Sequence, residues 1–167
     1  LAHARQEPWI NFYGGKISSE WSFSKTLQLL NEAPALYHAA ERFIEAADWI
    51  VWQLTGTEVR CTSTAGFKAI WQEGVGYPSR EYLAVLHPDL ADIVATKLAA
   101  PLLPLGSRAG GLSAEAAAWT GLRAGTAVGV GMIDAFTAVY AGQTTEPGAM
   151  AIILGTSTCH MLVSSER

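Results

Sequence analysis

The chain has 167 residues, half of them hydrophobic, and a formal net charge of −4. That is enough apolar material for one ordinary domain with a core of its own, and the lack of a basic stripe argues against nucleic acid as a partner. No apolar run approaches the roughly 18 residues of a membrane-spanning helix, no charged-then-apolar leader opens the chain, and Cys61 and Cys159 lie far from any metal-ligand spacing, so a cytoplasmic protein with reduced thiols and no membrane partner is expected.

Residues 1–18 carry little periodicity beyond a turn, Tyr13-Gly14-Gly15-Lys16. Phe23, Leu27 and Leu30 recur at helical spacing, and Pro34 limits that helix. A second helix is expected over 35–42. The next stretch, 43–54, is apolar on almost every side, which predicts a helix buried on more than one face, with Trp49 and Trp52 in the core. Gly56 is placed to end it. Residues 57–60 read as a short strand or a loop. Small hydroxylated residues then lead to Lys68, flanked by Phe67 and Trp71.

Ser79 is a credible N-cap for a helix reaching Leu86, and 89–98 holds another helical turn or two. A strand over 102–105, a glycine-rich connection over 106–111 and an alanine-rich helix capped by Ser113 and stopped at Gly121 complete this part.

The rest is organised around 125–161. Gly125-Thr126-Ala127-Val128-Gly129-Val130-Gly131 reads as a buried strand that passes close to something else. Met132-Ile133-Asp134-Ala135 places a lone carboxylate just past its carboxyl end, and 135–141 has helical character. After a turn cluster a strand over 149–154 breaks into Gly155-Thr156-Ser157-Thr158, and a further strand covers 160–163. A base at one strand end and a loop of free amides after the next strand suit phosphoryl transfer to a hydroxyl group. Helices in the first half and strand-helix alternation in the second predict an α/β sheet with a helical layer. The first residue is Leu1 and the last, Arg167, follows an apparent strand, so an interior segment of a longer protein is expected.

Several stretches resemble the FGGY carbohydrate kinases, and within them the branch acting on L-ribulose. They are Tyr13-Gly14-Gly15-Lys16-Ile17-Ser18-Ser19-Glu20-Trp21, Glu45-Ala46-Ala47-Asp48-Trp49, Thr64-Ala65-Gly66-Phe67-Lys68-Ala69-Ile70-Trp71, Arg108-Ala109-Gly110-Gly111-Leu112 and Gly155-Thr156-Ser157-Thr158-Cys159-His160-Met161. The resemblance implies a ribonuclease-H-like, actin-like α/β kinase fold, incomplete here. Residues 1–143 would be the later part of the sugar-binding first domain, and 144–167 the opening hairpin of the nucleotide-binding second domain. It implies Asp134 as general base and sugar ligand, Lys68 in the sugar pocket, and Gly155, Thr156 and Ser157 facing the phosphates of ATP. Mg2+ would come with the nucleotide. A ketopentose and ATP are the implied partners, a homo-oligomer stays open, and the short chain alone is expected to be inactive. Where the branch usually reads Asn-Val-Asp-Ala-His, this chain reads Met132-Ile133-Asp134-Ala135-Phe136.

Each signal has a plainer reading. Asp134 could cap a helix, Lys68 could rest its stem on Phe67 or Trp71, and Gly155-Thr156-Ser157-Thr158 could be a tight turn. Cys159 and His160 are adjacent on a strand and point to opposite faces, which argues against a nucleophile or metal pair. A kinase for another ketose or a polyol, and a sugar-binding module without catalysis, are the alternatives.

Overall fold

The computed structural model describes residues 1–155 and 158–165. A 3-10 turn, Pro8–Tyr13, leads to α1 (Ser22–Glu32), and α2 (Pro34–Ala39) starts on Pro34 itself, whose missing N–H is no loss in a first helical turn. Helix α3 is Ala46–Thr55 and ends on Gly56 at φ 71°. β1 (Arg60–Cys61) passes directly into α4 (Thr62–Ala69). Then come α5 (Arg80–Leu86), a 3-10 turn at Pro88–Leu90, and the single turn α6 (Ile93–Thr96). The remainder is β2 (Leu102–Leu103), β3 (Arg108–Gly111), α7 (Ala114–Thr120), β4 (Ala127–Gly129), α8 (Asp134–Ala141), β5 (Met150–Leu154) and β6 (Thr158–Leu162).

The described strands form three pairs. β1 and β2 are parallel, with Arg60 opposite Leu102, while β3–β4 and β5–β6 are antiparallel. The expected caps are in place: Ser79 accepts from the Tyr82 amide at 3.1 Å, and Ser113 accepts from the Ala116 amide at 3.0 Å.

The core lies in the first part of the chain. Trp9, Phe23, Leu30, Tyr37, Ile70, Leu83, Leu90 and Ile93 belong to one buried cluster, in which Trp9 meets Tyr82 edge-on at 5.1 Å. Such clusters supply most of a domain's stability, at about 25 cal/mol per Å² of apolar surface removed from water.

Three expectations change, and one stretch left unassigned takes a definite form. Helix α3 starts at Ala46, because Phe43 leaves the helical path and stacks on Tyr37 at 5.5 Å. It buries one face through Asp48 and Val51, leaving Trp49 and Ile50 about half exposed, so Trp49 is not a core residue. Residues 108–111 form a strand rather than a connection: they run beside β4, and a Cβ on Gly111 would stand 3.1 Å from Gly125 Cα. β4 is not a buried strand, since Ala127 and Gly129 are exposed; the β3–β4 ribbon packs against α3. Finally, the hydroxylated run after Cys61, which has no apolar period, forms α4. Its Thr64, Ala65 and Ala69 are buried.

Candidate active site

The approach to Asp134 is fixed by contacts upstream. Beyond β4, the Val130 amide donates to Ser107 O at 3.0 Å. Gly131 then crosses the start of α3 so tightly that a Cβ there would lie 2.8 Å from Ala47 O. This is the close passage that the glycine spacing predicts. Ile133 occupies the N-cap position of α8, extended at φ −67° and ψ 130°, and Asp134 is the first helical residue. Asp134 therefore does not cap the helix in the strict sense. Its Oδ1 accepts the neighbouring Ala135 amide at 2.8 Å, and the Thr137 hydroxyl donates to its backbone carbonyl at 2.5 Å. The carboxylate is exposed, at the positive end of the helix, where a negative charge is favoured.

Lys68 sits in the last turn of α4, half-buried, with its ammonium 5.6 Å from the centre of the Phe67 ring. That contact is the one its plainer reading requires, and it leaves the charge beside an aromatic face. The end of α4 is strained. Ile70 adopts φ 58°, a left-handed conformation that costs a β-branched residue on the order of 1–2 kcal/mol. Burial of its side chain holds it there, and the Trp71 amide closes the turn onto Ala65 O at 3.2 Å. The Tyr13 hydroxyl pins the same helix from outside, donating to Gly66 O at 2.6 Å.

Lys68 and Asp134 belong to different helices, and their neighbours bring those helices together. Phe67 and Phe136 meet edge to face, with centroids 5.2 Å apart and planes at 84°. On its other side Phe67 meets Trp21 at 5.8 Å, and Trp21 meets Tyr13 at 5.0 Å. Four rings thus run from the amino-terminal turn to the first turn of α8.

The β5–β6 hairpin packs against α8, and Gly155 stands exposed at the end of β5. Of the expected phosphate loop, Thr156 and Ser157 lie outside the described residues. Thr158 is already in β6, which begins two residues before the expected strand. Cys159 and His160 alternate in exposure along β6, as adjacent strand residues do.

One charged residue was not singled out by the sequence. Asp48 is buried, lines a cavity of about 270 Å³ together with Arg60, Glu45, Lys25 and Tyr77, and accepts the Cys61 amide at 3.0 Å. Burial pushes its carboxyl up to about 6, while the Cys61 hydrogen bond and the Arg60 charge pull the other way. Arg60 is equally buried and donates to Glu58 Oε1 at 2.7 Å. Neither Lys68 nor Asp134 lines this cavity, and Asp48 ties α3 to β1. The signal available in the sequence was an acid, Asp48, set among the apolar residues of 46–52.

No family model matches the chain. It is 52% identical over 166 residues to the ribulokinase of Bacillus licheniformis, an alignment covering 99% of the chain and 30% of that protein. It is 54% identical over 162 residues to the ribulokinase of Mycolicibacterium smegmatis, covering 97% of the chain and 29% of the relative. The chain therefore spans about 30% of the length of the curated relatives it matches. Its fold superposes on a xylulose kinase from Rhodospirillum rubrum with a TM-score of 0.75 at 24% identity, covering 99% of the chain and 34% of that structure. A gluconate kinase from Lactobacillus acidophilus gives 0.71 at 19% identity, covering 95% of the chain and 32% of that structure. Over the stretch that it spans, the chain is similar in sequence to ribulokinases and shares its fold with solved sugar kinases.

Proposed function

We propose that the chain is the part of an ATP-dependent ketopentose kinase that carries its catalytic base, with L-ribulose as the sugar. The carrying observation is the juxtaposition of α4 and α8 through Phe67 and Phe136: an exposed carboxylate at one helix start, and a lysine in the last turn of the other helix. In the reaction the terminal hydroxyl oxygen of the sugar attacks the γ-phosphorus of ATP. The bond to the leaving ADP oxygen breaks, and the hydroxyl proton passes to Asp134. Such transfer depends on positioning and electrostatic stabilisation more than on covalent participation by the protein. Lys68 donates hydrogen bonds to the sugar. Gly155, Thr156 and Ser157 meet the phosphates, and the exposed position of Gly155 leaves its backbone approachable. Mg2+ arrives with the nucleotide and neutralises phosphate charge.

On this reading residues 1–143 belong to the sugar-binding domain and 144–167 open the nucleotide-binding domain of a cytoplasmic enzyme of pentose catabolism. Phe136, in place of the usual histidine, favours a second reading in which the substrate is another ketose or a polyol.

The test is Asp134→Asn in a protein of full family length. Turnover should fall by about two to four orders of magnitude while sugar binding survives. Near-normal turnover would overturn the assignment. Lys68→Met should raise KM for the ketose by roughly one to two orders of magnitude and leave KM for ATP alone. The 167-residue chain by itself should release no sugar-dependent ADP.

A further inference from the structure

Phe67 and Phe136 are adjacent to the two candidate site residues but do no chemistry themselves. Phe67 precedes Lys68 and stays 39% exposed, an unusual state for a large ring already touched by two others. Phe136 lies two residues beyond Asp134, on the first turn of the same helix. Its amide donates to Ile133 O at 2.9 Å, so its backbone is part of the start of α8. Helix α8 contains no fully buried residue; the β5–β6 hairpin packs against it, and the Phe67 ring meets it at its first turn. The edge of one ring against the face of the other supplies a directional contact that a sliding aliphatic pair would not.

From this geometry we infer that the Phe67–Phe136 pair is a positioning device, holding the carboxylate of Asp134 at a fixed distance and angle from the ammonium of Lys68. The inference rests on the kinase reading above. Trp21 and Tyr13 extend the device. Trp21 backs Phe67, and the Tyr13 hydroxyl fixes Gly66, so the ring facing Phe136 is held from behind by the amino-terminal segment. Phe136 has no polar atom to offer a substrate, and its part is played through Asp134. A base displaced by about 1 Å loses up to roughly a hundred-fold in rate, far more than a partly exposed ring contact contributes to folding. That disproportion is the signature to look for.

The experiment uses the kinase of full family length, with Phe67→Leu, Phe136→Leu, the double variant and Phe136→Tyr. Each leucine variant should lower kcat about ten- to a hundred-fold with KM for ATP and the melting temperature nearly unchanged. The double variant should be no worse than either single one, because both remove the same contact. Phe136→Tyr, which keeps the ring, should restore turnover. Multiplicative losses in the double variant, or leucine variants with normal kcat, would overturn the inference. A parallel measurement does not depend on substrate: Phe67→Leu should speed hydrogen exchange of the Ala138 and Val139 amides in α8, although Phe67 lies in a different helix. Unchanged exchange there counts against the pairing. Absence of turnover in the unsubstituted protein on every ketose would refute the kinase reading, leaving exchange to decide the pairing.

Discussion

Leu83 and Leu90 are fully buried, whereas Ile152 and Leu154 in β5 are 53% and 79% exposed. All four are large aliphatic residues, so composition does not separate them. The difference is the presence of a second layer. In the first region residues of α1, α2, α4, α5 and the 3-10 turns share one buried cluster. In the second region, among the described residues, the β3–β4 ribbon and the β5–β6 hairpin are each two strands wide, and α8 buries nothing fully. A sheet face or helix stripe gains stability only when another element covers it, and a two-stranded ribbon alone is marginal. The candidate site lies on the seam: α4 belongs to the packed region and α8 to the open one.

The comparison breaks most sharply in the core. Leu83→Ala removes a side chain with no exposure and should destabilise the chain by about 2–5 kcal/mol, read from denaturant midpoints. A loss close to zero would mean that the helical region is not the stable part. Gly131→Ala tests the seam. Its Cβ would press on the Ala47 backbone at 2.8–2.9 Å, and the shift needed to relieve it should cost about 1–3 kcal/mol. Normal stability in that variant would show that the segment before Asp134 is free to move.

A third measurement uses pH. The carboxyl of Asp48 is raised from 3.8 to about 6, so the folded chain holds this proton where the unfolded chain has lost it. Its contribution is present at low pH and fades as pH rises from about 4 to about 6. Asp48→Asn should flatten that part of the stability profile, and an unaltered slope would place the carboxyl in a wetter site. The smallest effect is expected at Ile152. Ile152→Ala should change stability by less than about 0.5 kcal/mol, because the side chain is half exposed. A large loss would reveal a covering layer over the hairpin.

Where the signal was local, the sequence was readable. Ser79 and Ser113 at helix starts, Gly56 and Gly121 at helix ends and the tight passage at Gly131 all follow from the conformational needs of single residues. The placement of Asp134 beside a helix start was equally legible, because a lone carboxylate after a glycine-bounded strand has few local arrangements open to it. α4 was not readable, since Thr62, Ser63 and Thr64 show no helical period and the helix is held by burial of Thr64, Ala65 and Ala69. Nor was the strand at Arg108–Gly111, whose two glycines suggest a loop until a partner strand lies alongside.

By itself the sequence determined most of the helices, the caps at Ser79 and Ser113 and the similarity to ribulokinases, each of which depends on neighbours a few positions away or on the residue string itself. Only the tertiary structure decided that α3 is covered on one face, that Asp48 is buried with a displaced proton affinity, and that Phe67 meets Phe136. Those outcomes depend on which distant segment arrives to exclude water or supply a ring edge, and periodicity within a segment carries no record of that.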